Sequence, residues 1–139
     1  MARLASLAFV LACMGFAAVL TIHIAALSGS VGPFQHFGKL LFPALLVVWL
    51  PAIFCMNRLV RDVPQKDIWK AALRGCPTWM RTALWVVCGY AWVGGFVIPI
   101  IAGRDTNSQL AGARTTSGVM LGFYGIAVCV LLGDSGRQI

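Results

Sequence analysis

Residues 58–81 read RLVRDVPQKDIWKAALRGCPTWMR, and the arrangement of the whole chain follows from this stretch. It holds six basic residues (Arg58, Arg61, Lys66, Lys70, Arg74 and Arg81) against two acids (Asp62 and Asp67), and long apolar runs flank it on both sides. Short loops rich in Lys and Arg are retained on the cytoplasmic face of a bilayer. The segment therefore predicts a cytoplasmic loop, 58–77, in a multi-spanning membrane protein. Within it Asp62 is placed to cap a helix starting at Val63. Ile68, Trp69, Ala72, Leu73 and Cys76 recur on one face, with Lys66, Lys70 and Arg74 on the other. We expect a short amphipathic helix lying in the headgroup layer and ended by Pro77, its cations meeting anionic headgroups or an acidic partner.

Composition points the same way. The chain is 60% hydrophobic and 11% charged, with a mean hydropathy of +0.86, and a water-soluble domain would need more charge to cover its surface. The net charge of +7 is concentrated in one juxtamembrane loop. Membrane lipids, rather than nucleic acid, are the expected partner of that charge.

Outward from the loop, four apolar runs are long enough to cross a hydrocarbon core of about 30 Å. We place spans at about 4–27, 40–57, 78–102 and 115–133. The first run is longer than an ordinary signal core, so we expect a retained span. In the second, Pro43 falls in the first turn and Pro51 is expected to kink the helix. Arg3, the six loop cations and Arg137 fall on one side, and Lys39, Arg104 and Arg114 on the other. The expected fold is an all-α integral membrane protein: an antiparallel four-transmembrane-helix bundle with an interfacial helix between spans two and three. Both termini are then cytoplasmic, in a cell inner membrane.

In the fourth span Thr115, Gly118, Gly122, Gly125, Cys129 and Gly133 lie within about 80 degrees of one another at 100 degrees per residue. A face stripped of bulk lets another backbone approach, and such contact drives helix association in lipid. Gly118, Gly122 and Gly125 are the expected packing interface, either within the chain or with a membrane-protein partner or second copy. Cys88, Ala91, Gly95 and Ala102 form the matching small face on the third span. A further mild polar face, Ser6, Cys13, Ala17 and Thr21, marks the first span for ordinary helix contact.

His23 is the one imidazole inside an apolar run. An ionisable residue there is a functional suspect, as a proton site or a haem ligand. The other imidazole, His36, falls in the link between spans one and two, where it is poorly placed to complete a bis-histidine pair. We therefore expect a neutral His23 with hydrogen-bond partners, and no cofactor or metal.

The five cysteines, Cys13, Cys55, Cys76, Cys88 and Cys129, form no C-x-x-C pair and read as free packing residues. Asp134 is placed on a short tail after the last span, leaving no carboxylate in an apolar core. That pattern disfavours a proton-coupled exporter. Gly133-Asp134-Ser135-Gly136 resembles the surroundings of a protease nucleophile without the fold or partners to use it. Cys76-Pro77 is too short to specify regulatory haem binding.

The expected function is non-enzymatic: an accessory, assembly or immunity-type subunit acting through helix and lipid contacts. An oligomeric channel or carrier for a small solute or ion is the alternative, followed by a haem-binding or membrane enzyme subunit using His23.

Overall fold

A computed structural model describes residues 2–94 and 108–135. These residues form helices joined by short turns, without strands among them. Helix α1 spans Ala2–Leu27 and α2 spans Gly32–Val60. A 3-10 turn at Gln65–Asp67 leads into the short α3, Ile68–Ala72. Helix α4 spans Thr78–Trp92, and α5 spans Ser108–Ser135. Three of them, α1, α2 and α5, are long and apolar enough to cross a membrane. The second half of the third expected span, including Gly95 and Ala102, lies outside the described residues.

The link between α1 and α2 is shorter than its turn-rich composition predicts. Helix α1 ends in a six-to-one turn: the amide of Ser30 donates to Ala25 O at 2.9 Å and that of Gly29 to Ala26 O at 3.2 Å. Gly29 adopts the left-handed φ of 94° that this motif needs. Pro33 then falls at the start of α2, where its missing N–H costs nothing and its fixed φ favours helix. The helix thereby absorbs residues 32–39, and it continues across both Pro43 and Pro51.

Burial follows helical spacing. On α2, Leu41, Leu45, Val48, Ala52, Cys55 and Leu59 turn inward, while Leu46, Val47, Leu50, Ile53 and Phe54 stay exposed. On α1, Ala8, Ala12, Val19, Ile22 and Ala26 are buried, and Gly15 fills the gap in that series. A Cβ at Gly15 would overlap the ring of Tyr124, the largest fully buried side chain. The Tyr124 hydroxyl donates to Leu41 O at 3.3 Å, so one α5 side chain touches both α1 and α2.

Helix α5 is the hub, packing on α1, α2 and α4. It is longer at both ends than the expected span, and this corrects the placement of Asp134. That carboxylate lies in the last turn of the helix, 6% exposed, and not on a tail. Its Oδ2 accepts a hydrogen bond from Cys55 Sγ at 3.5 Å.

The basic loop also differs from its expected form. Pro64 has an extended ψ of 143°, which delays helix until the 3-10 turn, and Asp62 makes no cap. Ala71, Ala72, Leu73 and Cys76 are buried. They face protein: α3 packs on α2, Cys76 Sγ donates to Cys129 O at 3.0 Å, and Gly75 meets Gly133. The buried part of the loop's apolar side therefore lies on α2 and α5, while Trp69 stays 45% exposed.

Candidate functional site

The described residues place polar groups at the two ends of α5 and an apolar cleft beside its middle. At the first end, His23 on α1 is 4% exposed and lies between α4 and α5. Its Nδ1 is 2.8 Å from Ser117 Oγ, and its Nε2 is 2.8 Å from the Tyr90 hydroxyl. Ser117 spends its single proton on the helix backbone, donating to Ala113 O at 2.6 Å. Its Oγ can therefore only accept from histidine, which assigns the proton to Nδ1 and leaves Nε2 to accept from Tyr90. Both ring nitrogens of a neutral His23 are thereby engaged. The Nε2 lone pair is directed at the tyrosine hydroxyl, so haem ligation would require breaking this bond.

Gly118 lies against this cluster, with space for a methyl group in ordinary contact. A Cβ there would sit 3.5 Å from His23 Cε1 and 3.9 Å from Tyr90 Cε1. One turn earlier on α5, Arg114 donates from Nε to Ala26 O at 2.9 Å and from Nη2 to Leu27 O at 3.2 Å. These are carbonyls at the end of α1, where the helix dipole favours a cation. Arg114 thus ties α5 to the end of α1.

Along α5 the small residues meet helices of the same chain. A Cβ at Gly122 would lie 3.8 Å from Ala91 Cβ and 3.9 Å from Cys88 Sγ. At Gly125 it would lie 3.2 Å from Leu84 Cδ1 and 3.7 Å from Phe16 Cε2. At the other end two backbones come close, and a Cβ on Gly75 would lie within 2.6 Å of Gly133 Cα. Of the expected packing residues, Gly118, Gly122 and Gly125 lie against α1 and α4, and Gly95 lies outside the described residues.

The cleft has a volume of about 270 Å³ and runs between α1 and α4 over α5. Phe16, Met80, Leu84, Val87, Gly125 and Val128 are among its walls, and every lining residue is apolar apart from the thiol of Cys129. Trp79 and Ala83 stand exposed along its edge.

Lys66, Lys70 and Arg74 are all exposed on the loop, and Lys70 pairs with Asp67 at 3.1 Å. Cys76, below them, is buried and its thiol is held above the ordinary value by that burial. No His, Cys, Asp and Glu cluster with metal-ligand geometry occurs among the described residues. Reading by sequence missed Ser117, Tyr90, Arg114, Gly15 and Gly75. Ser117 and His23 each stand a few residues from the end of an expected span, a depth match that could have paired them.

Comparison with protein-family models, curated proteins and solved structures found no match for this chain. Its class is therefore read from its own helices: the described residues are helical and include three helices long and apolar enough to cross a membrane.

Proposed function

We propose that this chain is a small polytopic protein of the cell inner membrane that acts through helix and lipid contacts, as an accessory, assembly or immunity-type subunit. It crosses the bilayer four times as an antiparallel bundle, with α4 beginning the third span. Both termini and the basic loop are cytoplasmic.

The observation that carries this reading is the outward face of the helices. Leu7, Met14, Ile24, Phe42, Leu50 and Trp85 are each between 57% and 69% exposed, an apolar surface that water would not tolerate at such density. The order of contacts supports the antiparallel arrangement. Gly15 meets Tyr124 while His23 meets Ser117, and Leu84 meets Gly125 while Tyr90 approaches Gly118. The apolar lining of the cleft favours contact over passage of an ion. The polar groups at His23 are spent on one another, which suits a structural tie better than turnover.

Three measurements test this. The chain should resist alkaline extraction from membranes. Reporters fused at Lys70 should be active only in the cytoplasm. Purification in mild detergent should recover one defined membrane partner, whereas ion or solute flux into reconstituted vesicles would replace this reading with a channel or carrier.

A further inference from the structure

Two cysteines distant in the chain meet where α5 reaches the basic loop. Cys76, in the turn before α4, and Cys129, on α5, are 4% and 2% exposed and share one buried cluster, with Cys88 and Met80 of α4 packed against it. Cys76 Sγ donates to Cys129 O at 3.0 Å, and the Cys129 thiol is in turn hydrogen-bonded to the Cys76 thiol. Backbone holds the pair together. Gly75, next to Cys76, meets Gly133, one turn beyond Cys129, at a separation that leaves no room for a side chain on Gly75.

Burial raises the Cys76 thiol, while the hydrogen bond with Cys129 and the charge of Arg81 act against that rise. Arg81 donates from Nη2 to Thr78 Oγ1 at 3.4 Å, and its Nε is buried without an acceptor. A buried donor left so is costly, and negative charge arriving nearby offsets part of that cost. Thiols this buried are poor nucleophiles, which disfavours redox exchange. A metal that prefers sulfur displaces their protons outright. Among the described residues no group of three or more His, Cys, Asp or Glu could hold a metal ion, so the four-ligand shell of structural zinc is not supplied there. Two thiolates suffice for a soft monovalent ion, and sulfur ligands select Cu(I). Cys129 also lines the apolar cleft, with Met80 on its wall, which gives such an ion a path to the pair past a thioether.

We propose that Cys76 and Cys129 bind one Cu(I) ion as a two-coordinate bis-thiolate. The ion bonds to both sulfurs and both thiol protons leave, so the complex carries one negative charge, formed in the field of Arg81, and no electron is transferred. Binding fastens the turn before α4 to α5. The site goes beyond the membrane reading above and needs neither its orientation nor its partner.

Titration of the reduced full chain with Cu(I) in mild detergent, without oxygen and against a chromophoric Cu(I) chelator, tests it. Wild type should withdraw one equivalent. C76S and C129S should each bind more than about a hundredfold more weakly, beyond the loss caused by removing a contact that merely supports a ligand. C13S and C88S should match wild type. Because two protons leave, wild-type affinity should tighten on the order of a hundredfold per pH unit near neutrality, after correction for the chelator. R81Q should bind several-fold more weakly with the same slope. A readout that needs no variant is X-ray absorption at the copper edge, which should show two sulfur neighbours alone. Equal binding by C129S and wild type, a tenfold slope, any other ligand shell, or a wild type that leaves the chelator fully loaded would overturn the site. Alkaline extraction reads membrane embedding separately, so that failure leaves the membrane reading standing.

Discussion

Helices α2 and α5 are both apolar enough to cross a membrane, yet 28% of the most apolar window of α2 is buried against 61% of that of α5. What separates them is side-chain size. Helix α5 carries Gly118, Gly122, Gly125 and Gly133 where neighbours come close, whereas α2 presents Phe42, Leu46, Leu50 and Phe54 to its surroundings. In water, hydrophobicity sorts inside from outside. In lipid it does not, because acyl chains are as apolar as leucine, and close packing and hydrogen bonding decide instead.

Substitutions along the two helices sharpen this contrast. The largest effect is expected at Tyr124, which fills the space between α1, α2 and α5: Tyr124→Ala should lower stability in detergent by about 3 kcal/mol. Leu50→Ala on the outer face of α2 should change it by less than about 0.5 kcal/mol. Similar losses in the two variants, read from thermal melting, would remove the distinction between hub and rim. Next comes Gly122→Leu, at about 2 kcal/mol through overpacking against Ala91 and Cys88. Gly122→Ala should be mild, since its Cβ would make ordinary contacts at 3.8 Å or more.

A smaller effect is expected from His23→Ala, which strips Tyr90 and Ser117 of a partner. Hydrogen bonds between helices in lipid are modest, so a loss of about 1 kcal/mol follows, and a loss several times larger would mark His23 as more than a tie. Arg114→Gln should cost about 0.5 kcal/mol by weakening the cation at the end of α1. The smallest effect concerns Cys76. Burial raises its thiol, so the folded state favours the protonated form. Its contribution is therefore intact at neutral pH and is lost as pH rises through the alkaline range, and maleimide labelling of Cys76 should stay slow at pH 7 in the folded protein.

Much of the fold was legible because length and periodicity are local properties. The apolar runs marked α1, α2 and α5, and the small face of α5 could be drawn from 100-degree spacing alone. Boundaries were less legible. Pro33 reads as a turn signal in the sequence, but at the first turn of α2 it serves the helix, and the cap at Gly29 compresses the link. Asp134 looked like tail because charge usually ends a span. Within α5 it accepts a hydrogen bond from Cys55, seventy-nine positions away.

The site was less legible still. His23 stood out by its type, but its tautomer depends on what Ser117 does with its own proton, and its second partner comes from α4. Gly15 and Gly75 carried no motif, and they matter because Tyr124 and Gly133 arrive opposite them.

By itself, the sequence determined the repeating pattern: apolar runs of bilayer length, a cationic segment between them, and one helix face without bulk. Those follow from composition and spacing within a single segment. Only the tertiary structure decided which helix is central, where the buried carboxylate and imidazole find their partners, and where an apolar cleft opens beside α4. These depend on groups distant in the chain meeting within a few ångströms, and for helices apolar on every side that choice falls to shape and hydrogen bonding.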